Sequence, residues 1–224
     1  MNLLALDTSS IACSVAASQG GEVIDRHVEG AREHTKILMP MINSVMREAG
    51  LGFADLDAIV LGNGPGSFIG MRIGASVAQG IAYAAGLGIA PVSSLLAVAA
   101  AAFDELDGDR VVVTQDARMN EVYWGVYRRG EPGIPIAESP ECIVPARHTC
   151  TSADLFIAAG GGWDRYAELM AGNAGRVIAM AASRFPRARS LLAPGAHLVR
   201  CGETVDPPFL EPAYLRNRVA EPGP

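Results

Sequence analysis

Residues 62–74, reading Gly-Asn-Gly-Pro-Gly-Ser-Phe-Ile-Gly-Met-Arg-Ile-Gly, constrain the fold of this chain more than any other stretch. Gly64 and Gly66 can take positive φ or admit another backbone closely, whereas Pro65 holds φ near about −65° and lacks an N–H donor. Ser67 is placed to cap a helix. Upstream, Asp57-Ala-Ile-Val-Leu is a short apolar run suited to a buried strand, and downstream residues 70–85 have the length of a helix. The stretch reads as a strand end, a glycine turn and a helix start.

Such a unit invites a phosphate-binding reading, and the residues narrow it. A Walker A loop needs a lysine directly after its second glycine, and Lys36 is the only lysine in the chain. A dinucleotide fingerprint is poorly matched, because Gly66 and Gly70 enclose three residues instead of two. An anion held by helix N-terminal N–H groups stays open. So does the plainer alternative, a turn that lets a helix pack tightly on its own strand.

Composition limits the function classes. Of the 224 residues 50% are hydrophobic and 19% charged, enough for a sizeable core in one large or two small domains. The longest strongly apolar piece, residues 95–103, is too short to span a bilayer, and no basic segment precedes the first apolar run as a signal peptide requires. A formal charge of −6 argues against binding nucleic acid alone, so any RNA role calls for a partner. Arg184, Arg187 and Arg189 form the one local basic cluster and read as a solvated helix entry. Cys13, Cys142, Cys150 and Cys201 show no C-x-x-C spacing and suit reduced thiols in a cytoplasmic protein. His27, His34, His148 and His197 match no metal-binding spacing, so neither metal nor cofactor is expected.

In order, residues 3–6 read as a strand ending in Asp7, followed by strands at 12–17 and 22–28. Asp7 stands where many α/β proteins keep a phosphate- or metal-handling carboxylate, although a turn-capping aspartate is common at such places. From 33 to 49 the apolar positions Ile37, Leu38, Met41, Ile42, Val45 and Met46 recur at helical spacing. Pro40 implies either a late start or a kink in that helix. In the next helix Gly70, Gly74, Ala78 and Ala82 form a stripe of very small side chains. On the residues alone, close packing on the chain's own sheet is favoured over approach of another subunit's helix.

A strand at 89–93 and a helix at 95–103 lead to a polar break, placing a boundary between residues 1–107 and 108–224. The second part opens as the first did, with a strand ending in Asp116 and further strands at 121–128 and 135–144. Later signals predict a strand at 155–159, a glycine turn at 160–162, a helix at 163–171, a strand at 177–180, a helix at 187–201 interrupted by Pro194, and an extended tail from 207.

Two halves that each begin strand, Asp, meander match the duplicated actin, sugar-kinase and Hsp70 type of α/β (RNase H-like) fold, two subdomains each with a mixed sheet and flanking helices. The segments Leu4-Ala-Leu-Asp-Thr-Ser-Ser, Arg32-Glu-His-Thr-Lys with Leu38 to Pro40, Gly64-Pro-Gly-Ser-Phe-Ile-Gly-Met-Arg-Ile-Gly, Val92-Ser-Ser-Leu, Asp116-Ala-Arg with Glu121-Val-Tyr, and Ala213-Tyr-Leu-Arg carry a further match. Together they resemble the TsaB (YeaZ) family, the dimerisation subunit of the bacterial tRNA threonylcarbamoyladenosine transferase complex. They span most of the chain.

The resemblance implies a cytoplasmic, non-catalytic subunit. Such a subunit pairs with the metal-binding TsaD, which modifies the adenosine next to the anticodon of tRNAs reading ANN codons. TsaE joins the assembly and the threonylcarbamoyl-adenylate synthase supplies it; tRNA is reached only through the complex, and the isolated chain is a candidate homodimer. The family's dimer surface lies on its first two helices. Carried onto this sequence, it implies an interface of His34, Leu38, Met41, Ile42, Val45, Gly70, Ile73, Gly74, Val77 and Ala78, which reverses the preference for internal packing of the stripe. Gly64, Pro65, Gly66 and Ser67 are then a structural turn. Ile69 departs from the family's usual Thr, which weakens an anion-binding reading of that turn. The alternative is a stand-alone ATP-using enzyme of the same fold, resting on Asp7, Asp116 and the glycine turn. A peptidase finds no nucleophile, base or metal constellation to support it.

Overall fold

The computed structural model describes residues 1–30, 33–151 and 153–216; Arg32 and the tail beyond Arg216 lie outside the described residues. Strands β1 (Leu3–Asp7), β2 (Cys13–Gln19) and β3 (Glu22–Val28) form the expected antiparallel meander. Helix α1 (His34–Glu48) leads to β4 (Ala58–Gly62), α2 (Phe68–Ala85), β5 (Ile89–Val92) and α3 (Ser94–Glu105). β4 joins β1 in parallel and β5 joins β4, giving the order β3-β2-β1-β4-β5.

The second series runs β6 (Arg110–Arg118), β7 (Glu121–Glu131), β8 (Ile134–Ala137), β9 (Cys142–Pro145) and β10 (Phe156–Ala159), then α4 (Gly162–Arg165), α5 (Ala167–Asn173), β11 (Val177–Met180) and α6 (Ala188–Cys201). Its sheet has the order β11-β10-β6-β7-β8, with β9 also paired to β7. β6 is antiparallel to β7 and parallel to β10, as β1 is to β2 and β4. The two halves are therefore topological copies, and the fold is the duplicated α/β type expected from the sequence.

Each sheet is covered on both faces. Leu38, Ile42 and Val45 of α1 and Ala75, Ala78 and Ala82 of α2 pack on Leu4, Leu6, Val15 and Ile59. The opposite face of that sheet receives Ala188, Leu191 and Leu192 of α6. α3 covers the inner face of the second sheet through Leu95, Val98 and Ala102, while Trp163 of α4, Leu169 of α5 and Tyr166 between them cover its outer face. α3 also meets α6, so these two helices lie between the lobes. Arg129 of β7 closes the C-terminus of α3, donating to the carbonyls of Phe103, Leu106 and Gly108 at 3.0, 2.8 and 2.8 Å. No helix of the described residues is long and apolar enough to cross a membrane.

Five expectations change or are decided. The division at 107/108 separates the sheets, but α6 and the segment after it return to the first lobe, where Val205 bridges Ile89 and Leu210 enters the core. α1 runs unbroken from His34 with Pro40 inside it, which excludes the late start. The strand expected at 135–144 is two strands, because Glu141 turns inward to accept hydrogen bonds from Ser93 and Tyr127. The helix expected at 163–171 breaks at Tyr166, whose extended backbone (φ −123°) lets its hydroxyl reach Asp116 at 2.8 Å. α6 in turn continues through the buried Pro194, and Gly195 beside it lies so close to Val60 that a Cβ would sit 2.5 Å away.

Candidate functional site

The glycine turn, the loop after β1 and the end of β6 converge on a cleft of about 1010 Å³ between the lobes. Ser9, Ile11 and Ile69 line it from the first lobe, Asp116, Met119 and Tyr123 from the second. In this duplicated topology both aspartate-bearing strands end beside that region, so the chemistry of the cleft depends first on what their carboxylates face.

Asp7 faces inward. It is 1% exposed. Its carboxylate accepts the Ser9 N–H and hydroxyl at 2.9 and 2.8 Å and the Ser94 hydroxyl at 2.7 Å. Ser94 in turn accepts the Gly64 N–H at 3.1 Å, and a Cβ on Gly62 would lie 1.9 Å from Asp7 Oδ2. Asp7 thus ties β1, the glycine turn and the start of α3 together. It is the turn-capping reading of that aspartate that holds.

Burial raises the Asp7 carboxyl above its ordinary 3.8, with the hydrogen bonds from Ser94 and Ser9 opposing the shift. The folded state then holds a proton to higher pH than the unfolded chain does. This group's contribution to stability is greatest below 3.8 and declines as pH rises through the folded value. Asp7→Asn is expected to remove that decline. The difference between variant and wild type in urea midpoint, followed from about pH 4 to 7, separates Asp7 from Glu141, also raised by burial, and from His27, lowered by it. Parallel profiles would refute the assignment.

Asp116 is partly exposed but already engaged. Oδ1 accepts the Arg118 N–H and the Tyr166 hydroxyl, both at 2.8 Å, and Oδ2 pairs with Arg118 at 3.3 Å. In the triple-glycine turn after β10, the Gly160 and Gly161 N–H groups are used by the carbonyls of Ser183 and Arg184 at 3.0 Å.

The glycine turn of the first lobe spends its backbone groups in the same inward way. Gly64 has φ +90° and Ser67 caps α2 by accepting the Gly70 N–H at 3.3 Å. The Ser67 N–H donates to Ser9 O at 2.6 Å, the Ser94 N–H to Gly64 O at 2.7 Å, and the Tyr123 hydroxyl to Gly66 O at 3.2 Å. Gly64, Pro65, Gly66 and Ser67 form a turn packed so closely on the β1 loop that a Cβ at Gly66 would lie 2.1 Å from Ser9 O.

The residues expected at a partner surface are brought together on α1 and α2, but most of them face their own sheet. Leu38, Met41, Ile42 and Val45 are buried in the first core. Gly70, Gly74 and Ala78 are likewise inward: Cβ atoms at the two glycines would meet Thr8 O at 2.0 Å and Thr8 Oγ1 at 2.6 Å, and Ala78 is 0% exposed. The small-residue stripe thus serves close approach of α2 to β1, which corrects its assignment to another chain's helix. His34 is half-buried, its Nε2 3.1 Å from Ser10 O and 3.3 Å from Ala12 O, and docks α1 on the β1 loop. Ile73 and Val77 are half-buried at the edge of the outward face.

That outward face carries residues the periodicity argument passed over. Ile69 is 69% exposed and Tyr83 76%, with Ser76 and Gly80 exposed between them. Met39 of α1 is exposed beside this helix pair, and Ile11 is exposed at the cleft rim. The signal was present, since positions 69, 73, 76 and 80 share a helical face with no charged side chain.

The comparisons with known proteins agree along nearly the whole chain. Residues 19–193 match the family model described as TsaD, tRNA N6-adenosine threonylcarbamoyltransferase. The chain is 37% identical to the tRNA threonylcarbamoyladenosine biosynthesis protein TsaB of Escherichia coli, over 98% of this chain and 96% of that protein. It is 36% identical to the protein of the same name in Haemophilus influenzae, over 98% and 95%. Among solved structures it is similar to one from Pseudomonas aeruginosa described as an uncharacterized protein with similarity to peptidase YeaZ, with a TM-score of 0.88 and 35% identity, covering 96% of this chain and 99% of that one.

Proposed function

The chain belongs to the TsaB (YeaZ) family, and from that premise we propose that it is a non-catalytic subunit of the cytoplasmic machinery that places threonylcarbamoyladenosine in tRNA. It takes part in tRNA threonylcarbamoyladenosine biosynthesis by docking on TsaD, with TsaE joining the pair, and supports transfer to the adenosine beside the anticodon of tRNAs reading ANN codons. The observation that carries the non-catalytic reading is the inward orientation of Asp7. The strand-end carboxylate that would serve a catalytic member of this fold is sealed by Gly62 and consumed by Ser9 and Ser94. The docking surface in this reading is the outward face of α1 and α2, centred on Ile69, Ile73, Ser76 and Gly80, and the same face would pair two copies of the isolated chain.

Reconstitution tests the proposal. TsaD, TsaE, the threonylcarbamoyl-adenylate synthase and an unmodified ANN-decoding tRNA are combined with and without this chain, and modified nucleoside is counted. Modification is expected only when the chain is present, and none from the chain with tRNA and substrates alone. Full modification without it sinks the proposal.

A further inference from the structure

The segment Ala213-Tyr-Leu-Arg216 is not absorbed by any docking surface on α1 and α2. Its contacts reach both lobes. On the first lobe, the Ala213 N–H donates to Asn63 O at 3.2 Å, and Arg72 Nε donates to the Tyr214 hydroxyl at 2.9 Å. The Arg72 guanidinium lies 3.8 Å from the centroid of the Phe68 ring, and the Phe68 and Tyr214 rings are 5.4 Å apart. These contacts hold the segment to the first turn of α2.

On the second lobe, Leu215 packs against the core under α3. Arg216 donates to Ala117 O at 3.1 Å, approaches Met119 Sδ at 3.4 Å and forms an ion pair with Glu121. It therefore grips both ends of the turn between β6 and β7. That turn is unusual: Arg118, Met119 and Asn120 have φ of 63°, 55° and 56°, three successive non-glycine residues in the left-handed region. Side chains disfavour this conformation, and it persists only where surrounding contacts enforce it.

We propose that Ala213–Arg216 is an interlobe latch, holding the left-handed turn at the cleft rim and the N-terminus of α2 as one unit. Arg216 is the positioning residue. Its Nη2 donates to a carbonyl and a carboxylate while Nη1 reaches Met119 Sδ, two nitrogens fixed in one plane, which a single lysine ammonium does not reproduce. The cleft is thereby held at a fixed width, alongside the packing of α3 and α6 and the Tyr123–Gly66 hydrogen bond that also join the lobes. The proposal does not depend on docking to TsaD.

Amide hydrogen exchange on the full-length protein tests it. Arg216→Ala is expected to speed exchange of residues 117–120 about tenfold and, in the same variant, of residues 66–71 by a similar factor, with α5 unchanged. Arg216→Lys is expected to recover less than half of either change. Acceleration confined to 117–120 would show a local clamp and overturn the latch, as would exchange equal to wild type in both segments. Should Arg216→Ala lose its cooperative urea transition, Glu121→Gln keeps the bond to Ala117 O and removes only the ion pair. It is then expected to speed both segments about threefold, and a change in one segment alone overturns the proposal equally.

Discussion

Replacing Gly70 with alanine is expected to destabilise the protein by about 3 kcal/mol or more, a loss that many single domains of ordinary stability barely survive. The added Cβ would lie 2.0 Å from Thr8 O and 3.3 Å from Ser67 Cβ. Neither neighbour can yield cheaply. Thr8 Oγ1 donates to Gly70 O at 2.7 Å, fixing the loop to the helix, and Ser9 O next to it accepts the Ser67 N–H at 2.6 Å. The methyl group therefore has to push α2 off β1 and break the contact between the glycine turn and the Asp7 loop. Gly80→Ala on the same helix is the control. No atom lies within 4 Å of a Cβ there, so it should stabilise by about 1 kcal/mol through helix propensity alone. Urea midpoints at constant m decide the matter, and a Gly70→Ala midpoint equal to wild type would refute the close-approach account.

The same geometry explains what the sequence disclosed and what it withheld. β-branched and leucine-rich runs bounded by turn residues placed β1, β4 and β6, and the repeated strand-Asp-meander pattern disclosed the duplication. Local chemistry suffices for these, because a buried strand and its turn leave their marks within a few residues. The direction of the Gly70–Gly74–Ala78 stripe was not legible. A 3.6-residue period says which residues share a face, and small residues suit a neighbouring strand as well as a partner helix. The opposite face, with Ile69 and Ile73, is apolar too, so composition could not orient α2. The return of α6 to the first sheet was hidden for a related reason: Ala188, Leu191 and Leu192 announce an apolar face without saying which sheet it covers. The fates of Asp7 and Asp116 rest on Ser94 and Tyr166, each 50 or more residues away, and no spacing rule reaches that far.

Gly80→Arg carries the second large effect, and it separates docking from folding in a way that Gly74→Leu does not. A side chain at Gly74 collides with Thr8 Oγ1 at 2.6 Å, so loss of a complex in that variant would report a damaged monomer. Gly80 is exposed with open space around it. Arginine there gains helix propensity of roughly 0.8 kcal/mol, so the isolated variant should be as stable as wild type or slightly more so. If the outward face of α1 and α2 receives TsaD as proposed, the new side chain stands at its centre. Docking would then have to bury an unpaired guanidinium or leave a gap. An affinity loss of about a hundredfold, or 2.7 kcal/mol, is expected, with threonylcarbamoylation falling in parallel at limiting subunit. Calorimetric titration of TsaD with the variant measures the first quantity and the reconstituted reaction the second. Wild-type affinity in a stably folded Gly80→Arg protein would move the docking surface off α2 while leaving the reconstitution result to judge the functional proposal by itself.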